Sequence, residues 1–242
     1  MSEPRLLIDA PLHEAASVVL EEDQARYVGA VMRIGVGQTL RVFNAKDGEW
    51  RASVAAVAKR GLTLTVQSQI RTPAPTRDLT LLFSPLKRQA TDLVIEKATE
   101  LGVRRIVPVF TKRTVAETVR LDRLAAIARE AAEQCERLDA PTIAPASPLS
   151  EVLSAWDTAV PVLWAAERSD ASSIPDVLGQ KLPTAAALAV LIGPEGGFDA
   201  QEQAALAAFA PVHPISLGPL ILRAETAAIA ALALVQSAWR SR

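Results

Sequence analysis

From Asp78 onward the chain alternates short, wholly apolar runs with stretches of helical period, and few architectures accommodate that alternation. Residues 79–83, 105–109, 160–165, 187–192 and 213–217 read as strands, and residues 90–101, 121–138, 200–209 and 224–239 as helices. Strands apolar on both faces must be covered on both, so the pattern predicts an α/β unit: a mainly parallel sheet between layers of helices. Residues 147–183 carry no clear period.

The first 70 or so residues follow a different rhythm. Residues 5–8, 39–43, 49–57 and 62–66 alternate as half-buried strands do, around a short helix at 21–32. Asp47-Gly48 between two such runs is a strong hairpin signal. A small β-barrel or curled sheet is expected. The segment 71–77 holds two prolines among polar residues, so two domains are predicted, residues 1–72 and 78–242.

Composition removes several classes. Cys135 is the only cysteine, and with it His13 and His213 form no cluster of metal-ligand spacing, so no disulfide scaffold and no metal are expected. The longest uncharged apolar stretch, residues 226–239, falls short of the roughly 18–20 residues that cross a bilayer. The polar N-terminal residues do not read as a signal peptide. These features predict a cytoplasmic protein with no membrane partner. The net charge of −1 hides a gradient: residues 76–115 carry eight Lys/Arg against four Asp/Glu, and residues 116–242 carry nine against fifteen. The pairs Lys87/Arg88, Arg104/Arg105 and Lys112/Arg113 make a local patch that can hold phosphates, or simply form the solvated ends of loops.

Two stretches carry the chemistry. In Ile192-Gly193-Pro194-Glu195-Gly196-Gly197, a buried strand runs into a glycine-rich turn, followed by Asp199 and Glu202 at capping-box spacing. In open α/β sheets ligands sit outside the carboxyl ends of strands, where this turn lies, and its glycines bare the main chain. The chain has neither GxxxxGK[ST] nor GxGxxG, which disfavours a P-loop nucleotidase or a dinucleotide binder. The second stretch, Leu217-Gly218-Pro219-Leu220-Ile221-Leu222-Arg223-Ala224-Glu225-Thr226, puts a charged cluster at the first turn of the last helix. Glu225 suits the helix dipole there and Thr226 suits capping; alternatively, Arg223 and Glu225 face the same crevice as Gly193 and its neighbours.

Together with DLVIEKATELGVRRIVPV and EAAEQCER upstream, these motifs resemble the RsmE family of ribosomal RNA uridine-N3 methyltransferases, of the SPOUT superfamily, over almost the whole chain. The N-terminal segment, with Arg5 and residues 27–33, resembles that family's PUA-like RNA-binding domain. The chain departs from the family where Arg26-Tyr27 replaces a common His-His pair, and in the turn at residues 86–90. The resemblance implies a trefoil-knotted SPOUT domain behind a PUA-like β-barrel, a homodimer, and S-adenosylmethionine held by three loops. Carried over by motif, the cofactor residues are those around Leu163 to Ala165, Leu163 first, with less of the motif behind them, then Ile192, Gly193, Pro194, Glu195, Gly196, Gly197, Leu217, Gly218 and Leu222. The implied substrate is small-subunit rRNA, bare or in the assembled small ribosomal subunit, and the implied product is 3-methyluridine in the decoding region.

Uridine N3 bears a proton at neutral pH, so the enzyme must remove it or stabilise the anion. Arg223 is expected to hold the developing negative oxygen, and Glu225 or Glu195 to take the proton or orient the arginine. Arg5, Arg26, Arg33, Lys87, Arg88 and Arg113 are the expected phosphate contacts. Cys135 and both histidines read as structural. Three alternatives stay open: a SPOUT enzyme methylating a ribose 2′-oxygen, a non-catalytic RNA-binding or ribosome-assembly protein, and a generic nucleotide-binding α/β protein. The sequence hint for a dimer is the apolar final helix, residues 229–235.

Overall fold

The computed structural model describes residues 3–59, 61–166 and 170–239. The chain divides into two compact units: Met1–Pro75 with Ala132–Asp139, and Thr76–Ala131 with Ala140–Arg242.

The first unit is a five-stranded sheet. β1 (Arg5–Leu7), β2 (Ser17–Leu20), β3 (Thr39–Asn44), β4 (Gly48–Ala58) and β5 (Gly61–Arg71) lie in the order β1-β3-β4-β5-β2, with α1 (Glu22–Arg26) running on as a wider turn through Tyr27–Val31. The Asp-Gly hairpin forms as its residues predict, with Asn44 paired to Gly48. The Asn44 carboxamide oxygen accepts the Lys46 and Asp47 N–H groups, and the Asp47 carboxylate accepts the Leu12 N–H at 2.9 Å. That last bond holds the Asp47 carboxyl below its ordinary value. β2 is the strand the sequence reading missed. It has four residues, alternates exposed and buried, and pairs only with β5, so its period is too short to stand out.

The second unit holds an all-parallel sheet. Its elements in chain order are β6 (Asp78–Phe83), α2 (Arg88–Glu100), β7 (Arg105–Phe110), α3 (Leu121–Gln134), β8 (Thr142–Ile143), β9 (Ser147–Pro148), α4 (Leu149–Ser154) and β10 (Val162–Ala165). There follow β11 (Ser172–Ser173), α5 (Ile174–Asp176), β12 (Ala187–Ile192), α6 (Ala200–Ala208), β13 (Val212–Ser216) and α7 (Ala224–Ala238). The strand order is β11-β13-β10-β12-β6-β7-β8. β12 is central, and from Leu188 to Ile192 its side chains are buried, as a strand covered on both faces requires. α2, α3, α5 and α7 cover one face, and α4 and α6 the other.

Local chemistry sets the helix ends. α2 closes in a Schellman motif: Val103 N–H donates to the Ala98 carbonyl and Gly102 N–H to that of Thr99. α6 opens with the expected capping box, Asp199 and Glu202 each accepting the other's backbone N–H. α3 stops at Gln134, short of the expected residue 138, and Glu136 has a left-handed φ of 61°. The reason lies in Arg5, whose guanidinium donates to the carbonyls of Ala132, Glu133 and Arg137 and so collects the chain at the helix end.

Candidate cofactor and RNA site

β10 is flanked by β12 and β13, and all three run parallel. Trp164 is opposite Leu191 on one side, and Ala165 is opposite Ile215 on the other, so the three strands finish level and their following loops emerge at one edge. β12 enters late in the chain between β6 and β10, and the chain then passes to β13 on the far side of β10. A reversal of strand order of this kind opens a crevice at the carboxyl ends. The last described residue after β10 is Ala166; residues 167–169 of that loop lie outside the described ones.

The glycine turn is built for close approach. A Cβ on Gly193 would stand 2.7 Å from the Phe198 ring, and Gly197 has a φ of 67°, with its N–H donating to the Pro194 carbonyl at 2.9 Å. No other residue type satisfies both positions without strain. Leu163 and Ile192 are buried in the core and the Ile192 carbonyl accepts the Ser84 N–H, so these two shape the strand ends rather than reach outward. Pro194 is buried, Leu217 and Leu222 are half-buried, and Glu195, Gly196 and Gly218 are exposed.

Arg223 is the N-cap residue of α7, extended and exposed, and its side chain makes no capping bond. Thr226 is exposed and the expected capping role goes unused. Glu225 is half-buried, and its Oε2 is buried without a hydrogen-bond partner among the described residues. No hydrogen bond joins Arg223 to Glu225 among the described residues. The Trp164 indole Nε1 is likewise buried and unpartnered at the end of β10, its ring edge-on to Phe198 with centroids 5.9 Å apart. Sequence reasoning reached Trp164 only as part of the 163–165 stretch and gave it no role of its own, though a tryptophan at the end of a strand in a chain with 4% aromatic residues was the available signal.

The expected phosphate contacts separate into three groups. Arg26 and Arg33 are exposed in the first unit, and Lys87 and Arg88 are exposed at the carboxyl end of β6. Arg113 is exposed too, but its guanidinium donates to the Gly196 carbonyl at 2.7 Å. Beside it the Lys112 N–H donates to Glu202 of the capping box, so the loop after β7 grips the glycine turn and the start of α6. Arg5 is no surface cation. It is 8% exposed, pairs with the buried Glu49 at 2.7 Å and lies 4.0 Å over the Phe43 ring. With Nε on Glu49 and four of its five N–H groups engaged, three of them on backbone carbonyls, it is committed to the fold rather than to a phosphate.

A family model for an RNA methyltransferase domain matches residues 72–236, and one for an RNA methyltransferase PUA domain matches residues 20–67. The ribosomal RNA small subunit methyltransferase E of Rickettsia conorii is 34% identical over 233 residues, which cover 96% of this chain and 94% of that protein. This chain belongs to the ribosomal RNA small subunit methyltransferase E family. A family member from Neisseria gonorrhoeae, solved bound to S-adenosyl methionine, is 27% identical, with 98% of each chain covered and a TM-score of 0.87. A methyltransferase structure from Legionella pneumophila in complex with the same cofactor is 25% identical, with the same coverage and TM-score. The fold is thus that of the methyltransferase E family, with a PUA domain ahead of the α/β unit. Among the described residues no group of three or more His, Cys, Asp or Glu is placed to hold a metal, and no helix is long and apolar enough to cross a membrane.

Proposed function

We propose that this protein transfers a methyl group from S-adenosylmethionine to N3 of a uridine in the decoding region of small-subunit rRNA, giving 3-methyluridine. The observation that carries the reading is the level ending of β10, β12 and β13, after which β12 runs into the glycine turn and β13 into residues 217–222, with the unpartnered Glu225 Oε2 in the first turn of the helix that follows. Family membership and the cofactor in the Neisseria relative support it. The residues fit the cofactor: open main chain at Gly197 and Gly218, where an added Cβ would meet nothing within 4 Å, suits recognition by backbone groups, and Leu217 and Leu222 supply an apolar wall.

When bound, the cofactor supplies an electrophilic methyl group on a sulfonium. The chain's own work is orientation and proton management. A buried acceptor without a donor is the appropriate place for the N3 proton, so Glu225 takes it, ahead of the exposed Glu195. Arg223, exposed and unengaged as a cap, stabilises the negative charge that grows on a uracil oxygen. A base inside folded RNA must be turned out before N3 is reachable, which gives the PUA domain its task.

In this reading residues 1–72 form a barrel that docks RNA and residues 78–242 a trefoil-knotted catalytic domain, working as a cytoplasmic homodimer. The sequence hint for the dimer weakens, because Leu232 and Val235 of α7 are buried in the unit's own core. Leu220 and Ile221, 77% and 61% exposed beside the cofactor loop, are better candidates for the partner surface.

Labelled S-adenosylmethionine and unmodified small subunits, followed by nucleoside mass spectrometry, test the proposal. 3-Methyluridine is the expected product. A ribose-methylated nucleoside would move the protein to the 2′-O class, and no transfer despite cofactor binding would support an assembly role.

A further inference from the structure

A second polar site opens at the carboxyl ends of β6 and β7, a cleft of about 360 Å³. Its lining includes Lys87, Arg88 and Asp92 from the start of α2, and Val115, Glu117, Arg120 and Arg123 from the segment that runs into α3. Arg123 pairs with Asp92, and Arg120 pairs with Asp122 at 2.7 Å. Lys87 and Arg88 enter no ion pair among the described residues. Asp92 is only half satisfied: Oδ2 takes the Arg123 guanidinium, while Oδ1 is buried with no donor among the described residues.

The lining asks for two different things. Free cations ask for an anion, and a buried carboxylate oxygen without a donor asks for an N–H or O–H. An inorganic anion answers the first and is repelled by the second. A ribonucleotide answers both, with a phosphate for Lys87 and Arg88 and a ribose hydroxyl or base N–H for Asp92. Val115, 61% exposed in the same lining, offers an apolar face to a base or sugar. The volume lies at the small end of the roughly 300–1,000 Å³ typical of ligand sites, too little for a duplex. β6 neighbours β12 in the sheet, so the cleft follows the glycine turn along the same edge.

We infer that this cleft holds one nucleotide of the RNA substrate, its phosphate on Lys87 and Arg88 and a hydrogen-bond donor of its sugar or base on Asp92 Oδ1. The inference rests on the RNA-methyltransferase reading for the identity of the nucleic acid.

The test measures binding of a short fluorescein-labelled single-stranded RNA to the full-length protein by anisotropy over a range of salt, with cofactor affinity and Tm alongside. Lys87→Ala/Arg88→Ala should weaken binding about tenfold and flatten the salt slope by about one to two. Asp92→Asn separates recognition from mere charge. Removing a negative charge from a cationic patch tightens RNA binding if the patch acts only through its field, whereas loss of a specific acceptor weakens it several-fold. Weaker binding with cofactor affinity and Tm retained is the expected result. DNA of the same sequence identifies the donor: if wild type prefers RNA and Asp92→Asn erases that preference, the donor is the 2′-hydroxyl, and a parallel loss on both strands identifies a base N–H. Asp92→Asn binding RNA as tightly as wild type or more tightly, or a double variant with unchanged affinity, overturns the inference. A wild-type protein that shows these dependencies yet methylates neither rRNA nor subunits overturns the proposed function and leaves the cleft standing.

Discussion

The two units treat buried polar groups in opposite ways. In the first, Glu49 is fully buried, yet Arg5 is 2.7 Å away and Arg71 3.4 Å away, and three more Arg5 N–H groups end on backbone carbonyls. Along the carboxyl edge of the second unit's sheet, Trp164 Nε1, Glu225 Oε2 and Asp92 Oδ1 are buried with no partner among the described residues. A satisfied cluster holds a fold together, and an unsatisfied atom costs free energy that a hydrogen bond from a ligand or an ordered water recovers. The contrast assigns Arg5 and Glu49 to stability and the sheet edge to binding, and each assignment can be broken separately.

The largest effect is expected from Glu49→Ala. Removing one partner strands a buried guanidinium, a loss of about 3–5 kcal/mol. Denaturant unfolding should show it, while methyl transfer per folded molecule stays within about twofold. A large loss of transfer with unchanged stability would reverse the assignment.

Next in size is Arg223→Ala, which removes the group proposed to meet the developing charge. Loss of one such donor typically lowers turnover by about 10²–10³-fold. Cofactor affinity by calorimetry should hardly change, and retained turnover would remove Arg223 from the reaction. Arg113→Ala is expected to be milder and to differ in kind. The residue touches the Gly196 carbonyl, so its loss should loosen the glycine turn and weaken cofactor binding by roughly tenfold, in line with about 1.5–3 kcal/mol for a hydrogen bond from a charged group. An effect confined to RNA affinity, with cofactor binding untouched, would return Arg113 to the phosphate contacts.

Why the comparison was only half legible in the sequence follows from the distances involved. The run Ala187–Ile192, the capping box at Asp199 and Glu202, and the Asp-Gly hairpin are local, and residues within a few positions of one another decide them. β8, β9 and β11 have two residues each and can show no period. The insertion of β12 between β6 and β10 is a property of the path that no run of residues encodes. Arg5 and Arg88 look alike as letters. Their difference lies in carbonyls 127 to 132 residues from Arg5, which only the folded chain brings near. Asp92 reads as one polar position on an amphipathic helix until the cleft shows that one of its oxygens has no donor among the described residues.

The smallest expected effect concerns His213, on β13 one residue from its start and level with Leu163 of β10. Burial first, and the nearby Lys181 charge second, hold its pKa below the ordinary 6.5. The unfolded chain therefore binds a proton at a higher pH than the folded one, and where the unfolded state binds more protons stability rises with pH. As pH falls through 6.5 toward the lower folded value, the fold should lose a little stability, and below both values the loss should level off. His213→Gln should flatten that part of the curve when Tm is followed from pH 7.5 to about 5. The two units differ here as well. Asp47 in the first unit, lowered mainly by the Leu12 N–H, contributes stability that is present above its ordinary 3.8 and lost only as pH falls through its lower folded value. A mild decline beginning near pH 6.5 that survives His213→Gln would show that the second unit carries some other group buried in its neutral form.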